Sequence, residues 1–205
     1  APGRRRWNGD QDVREEAAMA MTAEDLYRVV AAGNIGSVWA LNSLGTAVQC
    51  CHETGWFRSR PMMAHWNLAG IKCTKTWVNR GGKCFSAKTW EEEGGRRVDQ
   101  MAGFRSYAGL EEFLRDYSRL IASYYPLSRD SHDCVWLYLA GLHGKWATDS
   151  KYFKALVSLV PRIADEVGVS RSTLMRSADI AVLRGYPERW MQDAVAEVLY
   201  PRTRR

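Results

Sequence analysis

Gln49-Cys50-Cys51-His52-Glu53-Thr54-Gly55-Trp56 is the stretch on which the fold and chemistry of this chain turn. Leading into it, Leu44, Val48 and Cys51 stand at i, i+4 and i+7, one apolar stripe of a 3.6-residue period. Gly55 supplies the left-handed residue that commonly ends a helix. The spacing therefore predicts a helix that stops just after Glu53. A carboxylate in a last helical turn meets the negative end of the helix dipole, and an indole beside it excludes water. Both disfavour ionisation and raise the pKa, as a general acid requires. The same residues also describe a surface glutamate before a helix stop, the ordinary environment of Glu. Local chemistry leaves both open.

Working outward, residues 1–20 are polar and Arg-rich, then Ala-rich, and read as a loosely ordered basic arm. Thr22 and Asp25 begin a capping signature ahead of Leu26, Val29 and Val30, and Gly33 and Gly36 are expected to break that helix. Trp39, Leu41 and Leu44 open the helix that carries Glu53. From Lys72 to Glu93 the residues alternate, with Gly81-Gly82 between two runs, which predicts a β-hairpin turning at those glycines. Leu110, Phe113, Leu114, Tyr117, Leu120 and Ile121 mark a clear amphipathic helix, and another spans Cys134 to Leu142. Thr148 or Asp149 caps a helix that Pro161 is expected to end. Two more follow, one through Leu174, Ala178 and Val182, the other from Pro187 through Trp190, Ala194 and Val198. The pattern predicts an α+β chain, predominantly α-helical, divided into the arm 1–20, a domain over 21–160 and a C-terminal helical extension over 161–205 with a basic tail.

The 205 residues suit one domain with an appendage, and 46% hydrophobic against 25% charged residues is a soluble globular balance. The net charge of +6 lies in the two ends: Arg4, Arg5, Arg6, Arg202, Arg204 and Arg205 account for it, leaving 23 basic and 23 acidic residues elsewhere. Basic tails grip any polyanion, so they do not specify nucleic acid. No run of about 18 apolar residues predicts a membrane span, and no signal-peptide pattern is visible. Nine Trp and nine Tyr suit either sugar stacking or a protein interface. Five cysteines are an odd number. Cys73 and Cys84 flank a Gly-rich turn and can pair, but small buried thiols fit all five equally. Cys50-Cys51-His52-Glu53 does not make a metal site, because consecutive helical positions point about 100° apart.

Four blocks in order resemble the glucosaminidase family of peptidoglycan hydrolases, glycoside hydrolase family 73. Gln49-x-x-x-Glu53-Thr54-Gly55-Trp56 is similar to its Gln-(x)3-Glu-Ser-Gly-Trp, and Asn67-Leu68-Ala69-Gly70-Ile71-Lys72 to its Asn-Leu-Phe-Gly-Ile-Lys. Phe104-Arg105-Ser106-Tyr107, with Asp116-Tyr117 downstream, resembles its Phe-Arg-x-Tyr block. Trp146-Ala147-Thr148-Asp149-x-x-Tyr152 resembles Tyr-Ala-Thr-Asp-Pro-x-Tyr. The resemblance covers residues 40–160 and implies a lysozyme-like fold with a small β-hairpin lobe beside the substrate groove. It implies cleavage of the β-1,4 bond between N-acetylglucosamine and N-acetylmuramic acid, with no cofactor and no metal.

By the resemblance Glu53 is the general acid and Glu91 the second carboxylate, with Glu92 as the competing alignment. Trp56, Asn67, Trp90, Tyr107, Trp146, Asp149 and Tyr152 are the substrate-binding candidates. Three departures stand out: Trp146 replaces the family's tyrosine, Ala69 its phenylalanine and Ser150 its proline. The setting implied is the bacterial cell wall, as an autolysin domain, a phage lysin or a virion-associated protein. Glycan strands are the expected partner, with phage or cell-envelope proteins docking on the C-terminal helices. A catalytically weakened binding or assembly module is the alternative. Val167 to Leu174 has the look of a helix-turn-helix turn, a short pattern common by chance, and nucleic acid is not an expected partner.

Overall fold

A computed structural model of the chain describes residues 21–35, 40–94, 96–147, 149–186 and 188–201, and of Ile35, Trp90 and residues 91–93 the backbone alone. The arm 1–20, Gly36, Trp39, Gly95, Thr148, Pro187 and the tail arginines 202, 204 and 205 lie outside the described residues.

Helix α1 (Ala23–Ile35) opens on the expected capping box: Asp25 N–H donates to Thr22 Oγ1 (3.1 Å) and Thr22 N–H to Asp25 Oδ2 (3.0 Å). It runs through Gly33 instead of breaking there, since one glycine costs a helix only about 1 kcal/mol. Helix α2 (Ser43–Thr54) starts at Asn42, whose Oδ1 accepts Gly45 N–H at 2.7 Å, and stops at Gly55, φ 57°. Short helices α3 (Arg60–Ala64) and α4 (Lys75–Asn79) precede strands β1 (Lys83–Glu93) and β2 (Arg96–Ser106), which pair antiparallel from Lys83↔Ser106 to Glu93↔Arg96. Helices α5 (Leu110–Tyr124), α6 (Pro126–Asp130), α7 (Val135–Leu142), α8 (Tyr152–Glu166), α9 (Arg171–Leu183) and α10 (Arg189–Leu199) complete the body.

The fold is thus mostly helical with one small hairpin, but the hairpin lies elsewhere than the sequence suggested. Residues 75–79, expected as strand, are helix α4, capped by Thr74, whose Oγ1 accepts Trp77 N–H at 3.2 Å. Gly81-Gly82 ends that helix and does not turn a hairpin: a Cβ on Gly82 would fall 2.1 Å from the Trp77 ring. The hairpin turns instead at Gly94 (φ +59°), between Glu93 and Arg96, a two-residue loop of the kind that favours positive φ. Pro161, expected to end α8, sits inside it. A helical proline loses one hydrogen bond, and burial of Ile163 and Ala164 one turn later holds the helix together to Glu166.

Helix α7 is apolar on every side, with seven of its eight residues buried, which suits a helix at the centre of a core. Helix α2 packs on α1, α7 and α8. The last two helices join the same core through Leu174, Ala181, Met191, Ala194, Val195 and Leu199. The Trp136 indole N–H of α7 donates to the Leu174 carbonyl (3.0 Å).

A buried polar clamp fastens the hairpin to this body. Arg105 at the end of β2 donates to Asp116 Oδ2 of α5 (2.7 Å), Tyr107 O–H donates to the same oxygen (2.7 Å), and Arg105 also lies over the Trp77 ring. Asn67 spends its side chain on backbone, donating to the carbonyls of Ile71 (2.9 Å) and Arg105 (2.8 Å) and accepting Ile71 N–H (2.8 Å). A disulfide between Cys73 and Cys84 ties the segment before α4 to the start of β1. Closing a loop of 11 residues stabilises by about 3 kcal/mol on the chain-entropy account. Cys50, Cys51 and Cys134 are buried free thiols.

Candidate active site

The hairpin and the helical body enclose a groove of about 480 Å³. One wall comes from the end of α2 and the start of α8, with His52, Glu53, Asp149 and Tyr152. The opposite wall comes from the sheet, with Lys88, Thr89 and Phe104, and from Lys72. Ser59, Met62, Gly70, Trp146 and Ala147 close the rest.

Glu53 is held at this wall because α2 stops one residue later. The stop is unusually tight: Gly55, Trp56 and Phe57 all take left-handed φ values, 57°, 62° and 58°. Two of these are not glycine, a conformation of order 1–2 kcal/mol each that persists where the surroundings impose it. Thr54 imposes it here. Its buried hydroxyl donates to the Cys50 carbonyl (2.6 Å) and accepts Phe57 N–H (2.9 Å). The carboxyl of Glu53 is pushed up to about 7, chiefly by burial, against a lowering by the Tyr152 hydroxyl, which donates to Oε1 at 2.6 Å. Oε2 faces Gly70, where an added Cβ would lie 3.1 Å away and φ is +63°. A side chain at position 70 would thus crowd Oε2 and take a strained backbone conformation. Burial holds His52 below its ordinary pKa, with Asp149 opposing, so the neighbour of the acid is kept neutral.

Among the nine residues singled out from the sequence, Glu53, Trp146, Asp149 and Tyr152 come together at the groove. Trp146 is half-buried between the rings of Tyr117 and Tyr125, and its N–H donates to the Ala69 carbonyl (3.0 Å). Its indole is therefore a fixed wall, and Ala69 itself is buried in the core and does not line the groove. Asp149 Oδ1 accepts Lys151 N–H (2.8 Å) at the entry to α8. Trp56 does not join the groove lining; its ring stacks under the Arg162 guanidinium at 3.9 Å. Asn67 and Tyr107 are buried in the clamp described above, so their polar atoms are spent on protein groups. Glu91 and Trp90 lie on β1, paired with Val98 and Asp99, and Thr89 of the groove wall stands two residues before Glu91.

His52, Lys72, Lys88, Thr89 and Phe104 line the groove without having been expected there. For His52 the adjacency to Glu53 was the available signal. For Thr89 it was strand alternation, which puts it on the same face as Glu91; the same rule turns the adjacent Lys88 the other way and offers no signal for it.

The family model described as glucosaminidase (mannosyl-glycoprotein endo-beta-N-acetylglucosaminidase) matches residues 31–165, more than half of the chain. The peptidoglycan hydrolase FlgJ of Pseudomonas aeruginosa is 38% identical over 73 residues, which is 34% of this chain and 18% of that protein's length. The crystal structure of a peptidoglycan hydrolase mutant from Sphingomonas sp. A1 superposes with a TM-score of 0.57 and 25% identity, over 78% of this chain and 98% of that one. A C-terminally truncated glycoside hydrolase domain of Salmonella typhimurium FlgJ gives a TM-score of 0.51 at 22% identity, over 74% and 98%, a likeness of fold. With an enclosed glutamate at the end of α2, a groove bounded by a hairpin and a family match across all of these elements, the chain belongs to the glucosaminidase family of glycoside hydrolases.

Proposed function

We propose that this chain hydrolyses the β-1,4 bond between N-acetylglucosamine and N-acetylmuramic acid in peptidoglycan, with Glu53 as the general acid. The observation that carries it is the Glu53 carboxyl, raised to about 7 by burial at the wall of a 480 Å³ groove. Such a group is protonated at mildly acidic to neutral pH and loses its proton readily once a leaving oxygen takes it. Glu91 is assigned as the second carboxylate, activating water or orienting the acetamido group of the substrate. What supports this is that β1 forms the facing wall at Lys88 and Thr89, just before it. Trp146 and Tyr152 are assigned to the sugar-contacting wall, the indole as a platform and the phenol as the partner of Glu53.

The setting follows from the same substrate. A cell-wall hydrolase works in the periplasm or outside the cell, where the Cys73–Cys84 disulfide also persists. No helix among the described residues is long and apolar enough to cross a membrane.

Mass spectrometry of digested, purified peptidoglycan tests the assignment. Wild type is expected to release fragments ending in reducing N-acetylglucosamine, and Glu53→Gln to release them about 10²–10⁴-fold more slowly. Fragments ending in N-acetylmuramic acid would make it a muramidase, and binding without release would make it a wall-binding module.

A further inference from the structure

The groove acid stands at the end of a buried chain of hydroxyl and amide groups drawn from four helices. Gln49 Nε2 of α2 donates to the Tyr152 hydroxyl of α8 (3.1 Å), and Gln49 Oε1 accepts from the Tyr117 hydroxyl of α5. Behind Tyr117 lies the Tyr138 hydroxyl of α7 (2.8 Å), and behind that the Thr46 hydroxyl of α2 (3.3 Å). All five side chains are almost wholly excluded from solvent.

Each hydroxyl has one proton, which sets the direction of every bond. Tyr117 spends its proton on Gln49, so Tyr138 must donate to Tyr117, and Thr46 to Tyr138. The Gln49 amide N–H occupies the Tyr152 oxygen, which turns the Tyr152 proton onto Glu53 Oε1. The bonds thus run one way, from Thr46 to Glu53. Turning the Gln49 amide over would require every hydroxyl behind it to reverse. It would also take the Tyr152 proton for Gln49, and a protonated Glu53 would then donate into Tyr152 and away from the groove.

We propose that Gln49, backed by Tyr117 and Tyr138, is a positioning residue that fixes which oxygen of Glu53 carries the reacting proton. Oε1 is reserved as the acceptor of Tyr152, and the proton sits on Oε2, the oxygen turned toward Gly70 on the groove wall. The arrangement rests on Glu53 being the general acid. As Glu53 gives up its proton, the Tyr152 bond becomes charge-assisted and roughly doubles in strength. That gain appears only as the reaction proceeds, so it accelerates the step and does not merely tighten binding.

Among the described side chains, the titratable groups around Glu53 are His52 and Cys50 on α2, Tyr152 on α8, Asp149 before it, and Lys72 and Lys88 on the sheet side of the groove. Burial holds His52 low and keeps Cys50, Tyr117, Tyr138 and Tyr152 above their ordinary values. The alkaline limb of the pH profile therefore reports Glu53.

The test is kcat against pH on purified peptidoglycan for Gln49→Leu, Gln49→Glu and Glu53→Gln, with thermal unfolding in parallel. Gln49→Leu is expected to lower kcat about tenfold or more with KM unchanged, and to move the alkaline limb to higher pH. Gln49→Glu, neutral at low pH, offers the same donor and acceptor and is expected to recover activity there. It should then lose activity steeply as its carboxyl ionises and draws the Tyr152 proton away. If Gln49→Leu does not fold, Tyr117→Phe releases the amide with an isosteric ring and shifts the limb the same way. A Gln49→Leu or Tyr117→Phe profile that is wild type in shape, merely scaled down, overturns the proposal. An active Glu53→Gln would sink the general-acid assignment itself, whereas a dead Glu53→Gln beside an unshifted Gln49→Leu would remove the relay alone.

Discussion

Replacing Glu53 by Gln should make this protein more stable at alkaline pH, and by an amount that pH controls. The acid has a reference pKa of 4.5 and is raised to about 7 in the fold, so between those values the native state holds a proton that the unfolded chain has lost. Stability therefore falls as pH rises through that window. Above about pH 7 the full difference applies, and at 1.36 kcal/mol per unit it comes to roughly 3 kcal/mol. Some opening of the side chain to the groove trims this toward 2 kcal/mol. Glutamine has no charge to bury, and its carbonyl can still accept the Tyr152 proton at the position of Oε1. Urea unfolding at about pH 8 should thus show the variant more stable by roughly 2–3 kcal/mol, or about 5–10 °C in Tm for a chain of this length. Near pH 4 the two should coincide. A difference that does not change with pH, or a variant less stable at pH 8, refutes the claim that burial is what raises this carboxyl.

Tyr152→Phe removes the donor that partly offsets that burial, so the alkaline limb of kcat should rise by about one to two pH units, the worth of a charged hydrogen bond. A limb that stays put in the rate profile would deny the bond any role in setting the acid. Asp116→Ala removes the carboxylate to which both the buried Arg105 guanidinium and the Tyr107 hydroxyl donate, and chemical denaturation should register a loss of about 3–5 kcal/mol. Less than 1 kcal/mol would mean that the hairpin is not fastened through this clamp. Cys73→Ser, or reduction of the wild type, should cost about 3 kcal/mol in the same assay while leaving the helical far-ultraviolet signal intact.

These expectations differ in how much of them was written locally in the chain. The helix before Glu53, its stop at Gly55 and the Thr22 capping box were legible because each depends on residues within one or two turns. The misplaced hairpin shows where that logic ends. Gly81-Gly82 and Gly94-Gly95 are the same dipeptide, but Gly82 packs against the Trp77 ring and donates its N–H to the Trp77 carbonyl as a helix stop, while Glu93 and Arg96 pair across the other. Pro161 errs in the opposite sense, since its local cost to the helix is real but burial of Ile163 and Ala164 outweighs it.

The site divides along the same line. The sequence alone determined that Glu53 ends a helix, that the chain is mostly helical with a small β element, and, through four short blocks, which family it belongs to. Whether that glutamate is an ordinary surface acid could not be decided there, because its pKa depends on water excluded by α8 and on a hydroxyl 99 residues away. Tertiary structure alone separated residues that share a motif: it turned Tyr152 and Trp146 to the groove, spent Asn67 and Tyr107 on the clamp, and sent Trp56 to Arg162. Spacing along a chain reports which face of an element a residue occupies. What that face meets is set by packing between distant elements, and that packing is what raises the Glu53 carboxyl.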